Sequence, residues 1–407
     1  MKNRILFLLI YYFPIFSFAQ DDNLQFRFSG FADTYHAVRS REPYNFMSSR
    51  SRLRTELDIT KGKSYMFASL NSVYNSLVES EPKIELREAF FQYTTNNWDF
   101  KVGKQIVIWG VADGLRITDI ISPMDYSEFL ARDYDDIRIP VNAFRLMYIK
   151  PNYNFELVFV PVSEFFVLPV KEENPWSITH SFETPYQVDM DNTPAQNLKN
   201  SEFGSRFSFY LSRIDFSVSA LHTWNKMPVF NYGYSQNGDT LLLDENYSRM
   251  DMLGIDFSLP VSKFVIRGEV AQYFRELQEI NNNRFIKKNT TNILLGVDWY
   301  AGNDWTLMAQ YYHKLINNYE KSMTNDKNTA YTTLSISKKI FRSTLNLESY
   351  SYVDLINKAS FTRFSCDYSV TDQIHFMAGY DWFNGDNGMF SYYKDNSEYW
   401  VKAKFSF

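Results

Sequence analysis

Cysteine is almost missing from this chain. Among 407 residues only Cys366 is present, so neither a disulfide framework nor a cysteine-rich metal site holds the fold together. Glycine (15) and proline (13) are scarce, which excludes collagen-like and low-complexity classes. Beyond the first segment there is no apolar run of about eighteen residues, so a polytopic helical membrane protein is excluded. Lysine and arginine are dispersed and the formal charge is −5. Nothing forms the basic patch of a nucleic-acid-binding protein, and no nucleic-acid partner is expected. What is plentiful is aromatic: 36 Phe, 29 Tyr and 8 Trp, far too many for a disordered chain.

The first residues read as a secretory signal peptide over 1–19. Lys2 and Arg4 supply a positive start, Ile5 to Phe16 an apolar stretch broken by Pro14, and Ser17-Phe18-Ala19 the small residues of a cleavage site before Gln20. Residues 20–407 then read as a single domain.

Along that domain polarity alternates with period 2, the mark of strands with one apolar face. Arg50, Arg52, Arg54, Glu56 and Asp58 share one face; Ser51, Leu53, Thr55, Leu57 and Ile59 share the other. Ile293, Leu295, Val297 and Trp299 form a second apolar row, and Ile374, Phe376, Ala378, Tyr380 and Trp382 a third. In a transmembrane barrel such rows face lipid, and the polar rows face the lumen. Tight connections are expected at 60–63, 95–97, 151–152, 212–213, 260–261, 301–303, 338–340 and 371–372. Longer polar loops are expected at 39–47, 78–83, 108–140, 162–200, 225–247, 276–288, 317–327, 354–358 and 384–395. Short and long connections alternate, as they do when short turns face the periplasm and long loops face outward. Eight short and nine long connections give eighteen strands, with sixteen as the alternative. The end of the chain agrees. Tyr399, Val401, Ala403, Phe405 and Phe407 alternate with Trp400, Lys402, Lys404 and Ser406, a final strand suited to recognition by barrel-assembly machinery. The fold class is therefore all-β: a transmembrane antiparallel β-barrel, closed because an open sheet edge in lipid would leave backbone groups unpaired.

Residues 103–148 carry a distinctive pattern. Gly103, Lys104, Gln105, Trp109 and Gly110 are followed by Asp113, Leu115 and Asp119, then by Ser122, Pro123, Asp125, Asp133, Asp136, Arg138 and Pro140. This resembles a poorly characterised group of Gram-negative, porin-like outer-membrane barrels related to alginate-export-type channels. The resemblance implies an outer-membrane location and a transport role, and brings no particular solute with it. The preceding Leu86-Arg87-Glu88-Ala89-Phe90 is similar to the strand that leads into this pattern in the group.

Read physically, residues 109–138 make an unusual loop. Seven acids stand against Arg116, Arg132 and Arg138, yet Leu115, Ile117, Ile120, Ile121, Phe129 and Leu130 are too apolar for a freely solvated segment. A loop of that composition is expected to fold inward and narrow the pore. Its acids Asp113, Asp119, Asp125, Asp133 and Asp136, with Arg138, would face a wall of Arg27, Arg50, Arg52 and Arg54. Opposed charge across a narrow lumen orients polar solutes and sets ion preference. The competing reading is that the charges only pair to hold the loop. Inward parity adds Arg145, Arg206, Arg267, Glu269, Arg275, Glu348, Arg363 and Asp367 as lumen-wall residues. Loop 162–200, with Pro169, Pro175, Pro185 and Pro194, is expected to cap the outer mouth.

Enzymatic signatures are lacking: the five histidines show no metal-binding spacing, and there is no nucleophile elbow. Asp33 with His36, and His180 with Glu183, are the pairs that a hydrolase reading could cite. The expectation is a non-enzymatic channel, without cofactor or metal, for passive passage of small polar or amphiphilic solutes. Outer-membrane lipid and lipopolysaccharide would be its surroundings. A non-conducting barrel that binds an envelope partner is the alternative, and an outer-membrane hydrolase a more distant one.

Overall fold

The computed structural model describes residues 24–407 apart from 79–80, 135, 183 and 282. The expected signal peptide lies outside the described residues. The strands are β1 (Gln25–Arg39), β2 (Phe46–Lys61), β3 (Ser64–Asn75), β4 (Lys83–Thr94), β5 (Trp98–Gln105), β6 (Val141–Lys150), β7 (Tyr153–Val160), β8 (Tyr186–Asp189), β9 (Glu202–Tyr210), β10 (Asp215–Trp224) and β11 (Val229–Tyr234). They continue as β12 (Leu241–Asn246), β13 (Arg249–Val261), β14 (Phe264–Ile280), β15 (Arg284–Gly302), β16 (Trp305–Ile316), β17 (Asn328–Ile340), β18 (Leu345–Asp354), β19 (Ala359–Ser369), β20 (Ile374–Asn384) and β21 (Glu398–Ser406).

Eighteen of these form one sheet, each strand antiparallel to the next. The sheet closes where β1 pairs with β21, from Phe31↔Ser406 to Arg39↔Glu398. Closure leaves no unpaired edge, the condition for spanning lipid with strands. The count is eighteen, not sixteen. The outward rows are those that the alternation marks: Leu53, Leu295, Ile336, Phe376 and Val401 are exposed on the outside, while their neighbours turn into the lumen. A belt so apolar on the exterior of a closed barrel is a lipid-facing surface. With strands about 4.8 Å apart and tilted roughly 40°, eighteen strands close at about 36 Å between opposite backbones. After lining side chains, such a bore still leaves about 15–20 Å unless something fills it.

Three parts of the sequence reading need correction. The expected loop 276–288 is largely strand. A β-bulge falls between Tyr273 and Glu276, with Arg275 at φ 65°, and beyond it the β14–β15 ladder runs on to Ile280↔Arg284. Ile280, Ile316 and Met323 form a small apolar cluster that supports this extension. Loops 162–200 and 225–247 are partly ordered too, because β8, β11 and β12 build a separate three-stranded sheet. Finally, β5 stops at Gln105, so Ile106 to Gly110 already belong to the lumen loop rather than to a strand.

Candidate functional site

Gln105 and Val141 are ladder partners, yet 35 residues separate them in the chain. A hairpin needs only a few. The surplus enters the barrel and crosses it. One flank packs on inward side chains of β6, β7, β10, β13, β14 and β15: Val107, Trp109, Ile117 and Ile121 join Ala143, Val158, Leu221, Met252, Ala271 and Leu294 in a buried cluster. The other flank meets a second cluster, where Phe129 and Ala131 pack with Tyr35, Met47, Tyr352, Phe361, Phe383 and Trp400. Ile117 and Met124 are fully buried. This is interior packing, which explains why the segment carries so many aliphatic residues among its charges.

Polar anchors fix the same path. Glu269 on β14 is 1% exposed and accepts the amides of Val111 at 2.5 Å, Ala112 at 2.6 Å and Thr118 at 3.0 Å, plus Thr118 Oγ1 at 2.9 Å. The turn around Glu269 requires glycine at 110: φ is +87°, and a Cβ there would stand 2.6 Å from Glu269 Oε1. Asp113 N donates to Gln310 Oε1 at 3.0 Å, and Tyr352 Oη donates to Gly114 O at 2.6 Å. On the opposite wall Arg50 pairs with Glu128 at 2.8 Å. Arg52 bridges Asp33 at 2.5 Å and Asp136 at 2.7 Å, and Arg54 meets Asp136 at 3.0 Å. Lys402 on β21 binds Asp133 at 2.7 Å. Arg363 on β19 donates to Leu130 O at 3.0 Å. The loop is thus tied to the wall at points spread around the circumference.

The expected site residues divide into groups. Arg50, Arg52 and Arg54 do face loop acids, but the acids that meet them are Glu128 and Asp136. Asp119 pairs with Arg138, and Asp125 with Arg132 at 2.7 Å, both within the loop. These pairs hold the loop to itself, as the competing reading held. Asp113 is exposed and lies near Asp298 and Glu348, away from the arginines. Arg27 is no part of that wall: it pairs with Asp58 at 3.1 Å near the short-turn rim, with most of its side chain exposed. Arg275 faces outward with Asp251, because the bulge beside it shifts its parity. Arg145, Arg206, Arg267 and Arg363 form wall ion pairs with Glu156, Asp256, Asp298 and Asp381. Asp33 and His36 lie on opposite faces of β1, so they do not form the pair that a hydrolase would need; Asp33 is spent on Arg52. Glu183 lies outside the described residues. Among the described residues no group of three side chains is placed to hold a metal.

Sequence reasoning missed Glu269 as the main loop anchor, although parity placed it inward. It also missed Lys402 and Glu128. Nothing local marks these contacts, because each partner lies more than 75 residues away in the chain.

Burial alone would raise the Asp136 carboxyl, but Arg52 and Arg54 beside it hold it below the usual carboxylate range. A depressed folded value means that its stabilisation is present above the ordinary value of about 3.9 and is lost as pH falls through the folded one. Amide protection in residues 106–140 is therefore expected to stay constant from about pH 8 to 5 and to fall only below about pH 4. Hydrogen exchange followed by mass spectrometry reads this directly. A loss of protection between neutral pH and pH 5 would refute the clamp.

The loop separates two chambers. On its long-loop side is a mainly apolar cavity of about 740 Å³. On its short-turn side is a polar one of about 270 Å³, lined by Arg145, Glu156, Arg206 and Asp256. Trp176, from the segment expected to cap the mouth, is fully buried against Phe383 and Tyr393 above the loop.

Solved structures share this architecture. OccAB3 of Acinetobacter baumannii aligns over 94% of this chain and 99% of its own, with a TM-score of 0.53 and 11% identity. At that identity the likeness is one of fold. The outer membrane channel DcaP of Acinetobacter baumannii (96% and 99% covered, 9% identity, TM-score 0.46) is also similar. So is OmpT, an outer membrane protein of Vibrio cholerae (96% and 99%, 10%, 0.47). No curated protein matches the chain. A family model does match, over residues 21–407. Its description carries no solute and does not bear on the alginate-export likeness. The chain is a member of the family described as "Protein of unknown function (DUF1302)".

Proposed function

We propose that this protein is a porin-like channel of the Gram-negative outer membrane for passive passage of small polar or amphiphilic solutes, with loop 106–140 as its constriction. One observation carries the reading: a closed barrel of eighteen strands, about 36 Å between opposite backbones, is crossed by a loop fixed to walls of paired charges. The barrel supplies a width that no small solute needs, and the loop reduces it. A loop tied at many points is stiff, and stiffness is what makes a constriction selective. The final strand, with Tyr399, Val401 and Phe405 outward, supports handling by barrel-assembly machinery, and the apolar belt supports a lipid and lipopolysaccharide surrounding.

Purified protein in a planar bilayer under a salt gradient tests the reading. Steady single-channel current with a defined reversal potential is expected. A second reading has its own observation, the interior-like burial of Ile117, Ile121 and Met124 within the loop. It treats the loop as a plug and the barrel as a scaffold for a partner. Silence from correctly folded barrels would favour that reading over the channel.

A further inference from the structure

The chamber above the loop is lined unlike the rest of the lumen. Its walls come from the lumen loop, the segment around Phe166 and Leu168, the β10–β13 connection with Met227 and Phe230, and the stretch Met389 to Tyr393. Among the described residues twenty-seven line it: thirteen are aromatic, three are methionine, and only Arg116, Lys226 and Glu276 are charged. Elsewhere the inward faces of the strands carry rows of ion pairs. At about 740 Å³ the chamber has the size of a site for a small organic molecule.

Backbone bonds between its walls hold the space open. Tyr126 N donates to Val167 O at 2.8 Å, which joins the loop to the segment above it, and Phe166 N donates to Lys226 O at 3.2 Å, which joins that segment to the next. Tyr352 Oη fixes the floor at Gly114 O. The apolar walls are therefore preformed rather than collapsed on one another. Tyr392 is 72% exposed, and Met227 and Met389 are exposed too, so large apolar groups of the lining meet lumen water, which a bound apolar body would displace.

Each of the three charged side chains already has partners. Lys226 pairs with Glu202 at 3.0 Å and donates to Ile121 O, with the Glu164 carboxylate also near. Glu276 pairs with Lys314 at 2.7 Å and accepts Thr290 Oγ1 at 2.6 Å. Arg116 donates through Nε to Asp119 O at 2.6 Å and through Nη2 to Ser122 O. The chamber thus offers ring faces and thioethers, which suit planar apolar bodies, while its charges are engaged within the protein.

We infer that this chamber binds an uncharged, ring-bearing organic molecule, its body held among Phe166, Trp224, Phe230 and Tyr393. The inference deepens the channel reading by naming the class of amphiphilic solute captured ahead of the constriction, and it rests on that reading for its transport meaning alone.

The test is equilibrium dialysis at pH 7 of radiolabelled 2-naphthol against the full-length protein in nanodiscs of zwitterionic lipid, with empty nanodiscs as the lipid control. Saturable binding above the control is expected. The anion 2-naphthoate, with the same rings, should bind at least about tenfold more weakly, because its carboxylate would leave water for apolar walls whose cations are already engaged. Unlabelled 1-octanol should compete more weakly than unlabelled 2-naphthol, since it lacks ring faces. Leu168→Trp and Met227→Trp each fill the chamber from a connecting segment, Met227 from an exposed position. Each should weaken 2-naphthol at least about tenfold while the thermal melt stays that of the wild type. Uptake equal to the empty nanodiscs, or affinity unmoved by both variants, would overturn the site. Equal or tighter binding of 2-naphthoate would overturn the uncharged class, and equal competition by 1-octanol the ring preference. Binding from a barrel that carries no current would keep the site and remove the channel; current without binding would do the reverse.

Discussion

Replacing residues 106–140 with a short glycine-rich turn is expected to raise single-channel current at least about fivefold, because it restores the bore that eighteen strands enclose. The geometry permits the replacement: Gln105 and Val141 already face each other in the ladder, where a turn of about two to four residues suffices. The loop supplies no ladder bonds to the barrel, so the eighteen-strand closure does not depend on it. It does supply partners for Arg50, Arg52, Lys402 and Arg363. Without it those cations face lumen water, which solvates them adequately. A wider pore should also lose discrimination, so the reversal potential under a salt gradient should move toward zero. Unchanged current from a folded deletion variant would mean that the loop is not the narrow point. If the deletion impairs assembly, Glu269→Ala offers a gentler release, since it removes four hydrogen bonds from the turn at 111–118.

The second large effect concerns Arg52. Its side chain is 4% exposed and binds Asp33, which has no exposed side-chain surface, together with Asp136. The guanidinium also lies 4.7 Å from the Phe31 ring centre. Arg52→Ala leaves two carboxylates in a confined site without their main cation. Breaking a buried pair from one side costs about 3–5 kcal/mol. Part of that cost is expected to appear as release of the loop, so trypsin should cut at Arg116 and Arg132, whose side chains are 11% and 17% exposed in the intact protein. Arg52→Ala combined with Asp33→Ala should recover part of the loss, as a double-mutant cycle would show. Wild-type resistance to trypsin in the single variant would refute a clamp at this point. The same logic changes how a triple replacement of Arg50, Arg52 and Arg54 must be read. A shift in selectivity would report a moved loop as much as a neutralised wall.

Strand number and strand faces are local properties. They follow from period-2 alternation and from the lengths of successive connections, so they are legible wherever one face meets lipid. Leu53, Leu295 and Phe376 could be assigned outward without any knowledge of their neighbours. The inward fold of residues 109–138 was legible for a similar reason: a segment with that many aliphatic residues must bury them somewhere. Local rules failed where ordering depends on contacts beyond the strand, as at 276–288, where a bulge resets parity and Ile280 finds Ile316 and Met323.

Tertiary structure alone decided the partners. Arg50 could have met any acid of the loop, and it meets Glu128; Arg27 has the right parity and sits too near the short-turn rim to meet any. Glu269 became the anchor because three amides of the loop happen to converge on β14, and the chamber above arose because three other connecting segments lean over the loop as a floor. Charge and polarity along the sequence fix which side of a strand a residue takes. Which charge it finds there depends on a path through the lumen that is closed only when all eighteen strands are in place.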